Sequence, residues 1–132
     1  MAVDPNGLGD ITKSNILWRF KSPILQLLTP LIKDGIIYTI DTRNNLFALD
    51  AKTGTLVYTK KLKDKYNTSP VYAEGKIYFI SVKGETLVLN AGKTREILAT
   101  NKLPGEIYAT PAIADNSILI GNETSLYRIG AK

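Results

Sequence analysis

The sequence contains no cysteine and no histidine. Their absence removes disulfides, thiolate nucleophiles, imidazole acid–base chemistry and the common zinc sites together. The redox compartment stays open, since a chain without cysteine tolerates either kind. Tryptophan and methionine occur once each. No apolar run approaches the roughly 18 residues that a membrane-crossing helix needs, so no membrane span is expected. The opening MAVDPNGLGD lacks a basic segment followed by an apolar core, so no signal peptide is visible. Such a segment could have been removed, or the chain could be an internal piece of a longer one. No stretch shows helical periodicity with caps; Ser22 to Leu31 is apolar, but Pro23 and Pro30 bracket it. The net charge of +5 is mild, and it would indicate nucleic acid only if focused on one face.

What is present is a repeat. Aligning Pro30, Pro70 and Pro111, which lie 40 and 41 residues apart, superimposes LLTPLIKDGIIYTI, NTSPVYAEGKIYFI and YATPAIADNSILIG. Gly35 and Gly75 then align with Asn116, and Tyr38 and Tyr78 with Leu119. Leu49, Leu89 and Ile129 fall 40 residues apart, as do Trp18, Tyr58 and Leu98. A period of about 40 to 45 residues with four short strands per unit is the signature of a β-propeller blade. The fold class is therefore all-β, with three four-stranded antiparallel repeats over 28–62, 68–102 and 109–132. Inner strands are expected at 28–34, 68–74 and 109–115, second strands at 36–42, 76–82 and 117–121. Third strands follow at 45–50, 85–90 and 124–129, and outer strands at 55–62 and 94–102. Asp34-Gly35, Glu74-Gly75 and Asp115-Asn116 tolerate positive φ, as two-residue hairpin turns require.

Residues 1–10 read as a flexible segment and 11–132 as the propeller portion. An outer strand at 11–20, including Trp18, stands without its own first three strands, while the third repeat has no outer strand. Three blades fall below the usual four to eight. Two closures are open. Strand exchange between two chains would give a six-blade ring, so a homo-oligomer, most simply a dimer, is expected; otherwise further blades lie on a longer chain.

Ala48-x-Asp50-x-x-Thr53-Gly54-x-x-x-Tyr58 resembles the AxDxxTGxxxW docking motif of pyrroloquinoline-quinone-type (PQQ-like) propeller repeats, with Tyr58 in place of tryptophan. Trp18 in ILWRF resembles the closing residue of the preceding repeat. The second repeat, Leu89-Asn90-Ala91-Gly92, is degenerate. The order of these segments is similar to the C-terminal blades of PQQ-like propellers, including BamB-like ones, from Asp10 to Gly130. The resemblance implies that Trp18, Ala48, Asp50, Thr53, Gly54 and Tyr58 form a structural docking motif between blades. It also suggests a bacterial extracytoplasmic, periplasmic location. It does not imply the cofactor: quinone-dependent dehydrogenases need a calcium site, a catalytic carboxylate and a tryptophan floor within a complete ring.

The remaining candidates have simpler readings. Gly92-Lys93-Thr94 contains part of a phosphate-loop pattern, but Leu87 stands where its first glycine belongs, and a strand rather than a helix should follow. Lys60, Lys61, Lys63 and Lys65 fit a solvated outer strand and its exit loop. Asp34, Glu74 and Asp115 recur with the repeat, yet each has a turn role of its own. Asn67-Thr68-Ser69 and Asn122-Glu123-Thr124 match the glycosylation pattern, a frequent accidental match. Tyr38 and Tyr78 alternate with apolar neighbours and read as packing. Propeller ligands generally meet the face built from loops joining the outer strand to the next inner strand, and the second strand to the third. Here those loops supply Gln26, Tyr66, Asn67, Glu106 and Tyr108, then Arg43, Asn44, Lys83 and Asn122. Arg43, Asn44, Tyr66, Asn67, Lys83 and Tyr108 are the candidate partner contacts, the two tyrosines foremost.

The sequence thus reads as a non-catalytic propeller scaffold or protein-interaction module, not an enzyme, with no catalytic, cofactor or metal residue assigned. Its expected partner is a protein, and no nucleic acid is expected. The alternative is a fragment of a larger propeller enzyme, quinoprotein-like or hydrolase-associated, whose active site needs further blades.

Overall fold

A computed structural model describes residues 1–22 and 28–130. Every regular element among them is a strand. In chain order these are β1 (Ala2–Val3), β2 (Ile16–Trp18), β3 (Leu31–Lys33), β4 (Ile36–Ile40), β5 (Asn45–Asp50) and β6 (Leu56–Lys61). They are followed by β7 (Val71–Ala73), β8 (Lys76–Ile80), β9 (Glu85–Asn90) and β10 (Ile97–Lys102). The last three are β11 (Ala112–Ala114), β12 (Ser117–Gly121) and β13 (Leu126–Gly130). Sheet order follows sequence order: β3-β4-β5-β6, β7-β8-β9-β10, β11-β12-β13 and the pair β1-β2, all antiparallel. These are propeller blades, and their strands coincide with the repeat units read from the sequence.

Local chemistry dictates the hairpins. Asp34 and Gly35 have φ of 48° and 74°, Glu74 and Gly75 46° and 77°, Asp115 and Asn116 47° and 54°. Two consecutive positive φ values define the turn whose twist matches the strands it joins. In the turn after β5, Asp50 Oδ1 accepts from the backbone N–H of Lys52 (3.0 Å) and Thr53 (2.9 Å) and from the Thr53 hydroxyl (3.0 Å). These bonds, the Thr53 amide foremost, hold the Asp50 carboxyl below the usual carboxylate range.

The inner strands β3, β7 and β11 stand side by side, which places the blades around a common axis. The core fills the spaces between blades with Ile36, Tyr38, Ile40, Leu46 and Ala48 from the first sheet. Ile77, Phe79, Leu87 and Leu89 come from the second. A smaller cluster of Ile80, Ile107 and Ile120 joins the second sheet to the third.

The N-terminus differs from the expectation of a loose segment followed by a lone outer strand. Ala2 pairs with Trp18 and Val3 with Ile16, as Ala48 pairs with Tyr58 and Leu49 with Leu56. Asp4 N–H donates to Asn15 O at 2.9 Å, as Asp50 N–H does to Thr55 O (2.9 Å) and Asn90 N–H to Glu96 O (3.0 Å). Asp4 Oδ1 accepts from Asn6 N–H at 3.0 Å, matching the Asp50–Lys52 bond. β1 and β2 are therefore the third and outer strands of a preceding blade. The inner edge of β2, free in the sequence reading, is occupied by β1.

Candidate functional site

The face to weigh is built by loops 41–44, 81–84 and 122–125 between second and third strands, and by the crossovers between sheets. Each of the first set is organised by one polar side chain at its head. The buried Asp41 carboxylate accepts from Arg43 N–H (2.9 Å), Asn45 N–H (2.8 Å) and the Asn45 side-chain amide (2.8 Å). Ser81 Oγ accepts from Glu85 N–H at 3.0 Å. Asn122 Oδ1 accepts from Thr124 N–H (2.9 Å) and Ser125 N–H (2.7 Å). Asp41, Ser81 and Asn122 lie 40 and 41 residues apart, a periodic signal that was available in the sequence and was missed. Short side-chain acceptors at such positions close turns on their own backbone.

The crossovers are wedged between these loops. Asn44 O accepts from Leu62 N–H (2.8 Å) and Lys65 O from Val82 N–H (2.8 Å). Val82 O accepts from Ile107 N–H (2.8 Å) and Gly84 O from Leu103 N–H (3.0 Å). Tyr66 and Ile107 fill equivalent places and are 1% and 0% exposed. Tyr66 was expected to reach a partner; it is a core wedge instead, its hydroxyl pushed up well above the ordinary phenol range by burial. The physical reason is the crossover itself, which turns inward to cover the gap between two sheets.

Of the other expected contacts, Arg43, Asn67, Lys83 and Tyr108 reach the surface. Arg43, Asn67 and Lys83 are exposed, and Lys83 pairs with Asp64 at 3.4 Å. Tyr108 is 57% exposed, and its hydroxyl donates to Glu106 Oε2 at 2.5 Å, which raises its pKa. Glu106 N–H in turn donates to Glu123 Oε2 at 2.9 Å. Asn44 is half-buried at φ 60°, its side-chain oxygen buried without a partner. Asn122 is half-buried and committed to its loop. Gln26 lies outside the described residues. Around Tyr66 the basic Lys83 is matched by Asp64, and Glu85 is also near, while Glu106 and Glu123 stand at the next crossover.

The residues of the docking motif are arranged in two ways at successive junctions. Trp18 Nε1–H donates to Ala51 O at 3.0 Å, and its indole lies over Gly54, where a Cβ would come within 2.5 Å of the ring. Gly54 also has φ 71°, a second reason for glycine. At the next junction Tyr58, the tryptophan's equivalent, is half-buried with its hydroxyl unpartnered and its pKa pushed up to about 12, chiefly by burial. The polar link is made by Tyr38, whose hydroxyl accepts from Gly92 N–H (2.8 Å) and donates to Gly92 O (3.2 Å). Docking has passed from the outer strand to the second strand. Gly92-Lys93-Thr94 is accordingly a hairpin turn between β9 and β10, as the degenerate motif indicated.

The sequence family described as outer membrane protein assembly factor BamB matches residues 8–97. The chain belongs to this BamB-like family of PQQ-like repeats. The crystal structure of BamB from Moraxella catarrhalis superposes with a TM-score of 0.72 at 18% identity, over 86% of this chain and 36% of that one. A europium-containing methanol dehydrogenase superposes with a TM-score of 0.64 at 20% identity, over 84% of this chain and 22% of that one. In sequence, the dehydrogenase subunit of alcohol dehydrogenase (quinone) from Gluconacetobacter polyoxogenes is 28% identical over 115 residues. That match covers 71% of this chain, and the chain spans about 16% of the relative's length.

The quinone and metal of such relatives do not fit the residues present. The single Trp18 lies over the Gly54 hairpin between blades, and the Oδ1 atoms of Asp41 and Asp50 each accept from the backbone of their own turn. Among the described residues, no three acidic side chains gather to hold an ion.

Proposed function

We propose that this BamB-like chain is a non-catalytic propeller portion that works as a protein-interaction scaffold. The observation that carries this is the division of labour on the loop face. Asp41, Ser81 and Asn122 spend their polar atoms on the backbone, while Arg43, Lys83, Asn67 and Tyr108 stand outward on loops held from below. Polar and aromatic side chains on a rigid frame suit recognition of another protein surface. The family supports an extracytoplasmic, periplasmic setting, which cell fractionation tests. The ring is completed across its open ends by a second copy or by further repeats.

A second reading has one specific support: identity to a quinone-dependent dehydrogenase subunit over a small part of that protein's length. On that reading the chain is a portion of a larger enzyme. Titration with pyrroloquinoline quinone and calcium separates the two. A ligand at a hundredfold excess over its Kd stabilises the folded state by about 2.7 kcal/mol. The scaffold predicts no shift in melting temperature and no change in quinone absorbance. A saturable change in either gives the site to the enzyme. Steep, salt-sensitive retention on heparin would instead indicate nucleic acid.

A further inference from the structure

We infer that the groove between the first and second four-stranded sheets is a docking site for an acidic peptide segment, one carboxylate of which is received by the Tyr66 hydroxyl and the Lys60 and Lys63 ammonium groups. This rests on the scaffold reading and names the chemistry of the partner at one place on the chain.

The groove has a volume of about 230 Å³ and lies between the end of β6, with the crossover that follows it, and the strands β9 and β10. Both flanking sheets have four strands, so the hollow is internal to the array of repeats. Its walls are of two kinds. Leu87 and Ile97 supply apolar surface. Lys60, Lys61 and Lys63 bring three positive charges against the single carboxylate of Glu85. Lys61 Nζ donates to Arg43 O, but among the described residues Lys60 and Lys63 make no ion pair. The neighbouring Asp64 is engaged with Lys83 at 3.4 Å.

Tyr66 is what separates this groove from a merely solvated basic edge. Its ring is the wedge already described, and the hydroxyl is its one polar side-chain atom. The residue is 1% exposed and lines the groove, yet its hydroxyl makes no hydrogen bond among the described residues. A donor so nearly enclosed gains by pairing with an arriving acceptor. Burial first, then the Glu85 and Asp64 carboxylates, keep the phenol protonated and able to donate. Three lysines and a phenol O–H favour an anion, because hydrogen bonds to charged acceptors are the stronger ones. Glu85 decides which anion. Its carboxylate repels a doubly charged phosphate but accepts from a backbone N–H, and the apolar wall suits an aliphatic side chain. An extended peptide carrying aspartate or glutamate beside apolar residues offers all three groups.

Fluorescence anisotropy with two labelled peptides, Leu-Asp-Leu-Asp-Leu and its counterpart Leu-Asn-Leu-Asn-Leu, tests this. The aspartate peptide is expected to bind saturably, and the asparagine peptide about tenfold more weakly, the size of one hydrogen bond to a charged group. Tyr66→Phe keeps the ring and the core, and is expected to weaken the aspartate peptide several-fold at unchanged melting temperature. Lys60→Gln combined with Lys63→Gln is expected to weaken it at least as much, and more so at low salt. Glu85→Gln is expected to let inorganic phosphate compete, which it does not do against the unaltered chain. Equal binding of the two peptides overturns the proposal, as does an unchanged affinity in Tyr66→Phe. Competition by inorganic phosphate or by oligothymidylate as strong as by unlabelled peptide also overturns it, and makes the groove a general anion or nucleic-acid surface. None of these results touches the quinone and calcium titration, so the scaffold reading fails or stands separately.

Discussion

The second and third repeats share apolar positions such as Leu89 and Ile129 and bury them very differently. Leu89 and Ile129 are equivalent, yet they are 0% and 45% exposed; in the first repeat Leu46, equivalent to Leu126, is 0% exposed against 75%. β9 has four consecutive buried residues, while β13 has none. The difference is in what stands around each strand. β9 has β8 on one side and β10 on the other, whereas among the described residues β13 is paired with β12. Alternation in the sequence decides which side chains can be buried, and neighbouring sheets decide which are. In a solenoid-like array of this kind, stability is close to a sum over units and their interfaces.

The largest effect that sharpens this contrast is in the core. Leu89→Ala is expected to cost about 2–5 kcal/mol, as for other buried leucines. Ile129→Ala should cost under about 1 kcal/mol, since little apolar surface leaves water there. Urea unfolding at low protein concentration measures both. Equal losses would mean that β13 is covered in the isolated chain, and the contrast between repeats would break.

A smaller effect divides the two tyrosines at the junction of the first and second sheets. Tyr38→Phe loses two bonds to Gly92 and leaves that amide unmatched, a cost of about 1–3 kcal/mol. Tyr58→Phe removes a buried hydroxyl with no partner and should be neutral or stabilising. The same denaturation series reads both signs.

This pair also shows what was legible beforehand. The repeat, the positive-φ turns and the Ala48–Tyr58 motif were readable because each is local chemistry at fixed spacing. The handover of docking from Tyr58 to Tyr38 was not, since both alternate with apolar residues and only the facing sheet tells them apart. Tyr66 misled for a related reason. An aromatic residue in a crossover looks like a contact when the gap that the crossover covers is unseen. The N-terminal hairpin was legible in part, because Ala2-x-Asp4 repeats Ala48-x-Asp50. Its turn is longer, with Trp18 sixteen residues after Ala2 against ten from Ala48 to Tyr58, so fixed-spacing alignment passed over it.

The smallest expected effect concerns pH. Asp50 has a lowered pKa in the folded state, so its contribution is present above the unfolded value near 4 and is lost as pH falls through the folded one. Melting temperature should therefore decline on acidification below about pH 4, and Asp50→Asn should flatten that decline. An unchanged acid profile in the variant would separate this turn from acid stability and leave the fold intact.

Amide hydrogen exchange, followed strand by strand across protein concentration, addresses the role of neighbouring sheets most directly. The β9 amides should exchange last and the outward amides of β13 first. Protection of β13 equal to that of β9 in a chain that scatters as a monomer would contradict the account.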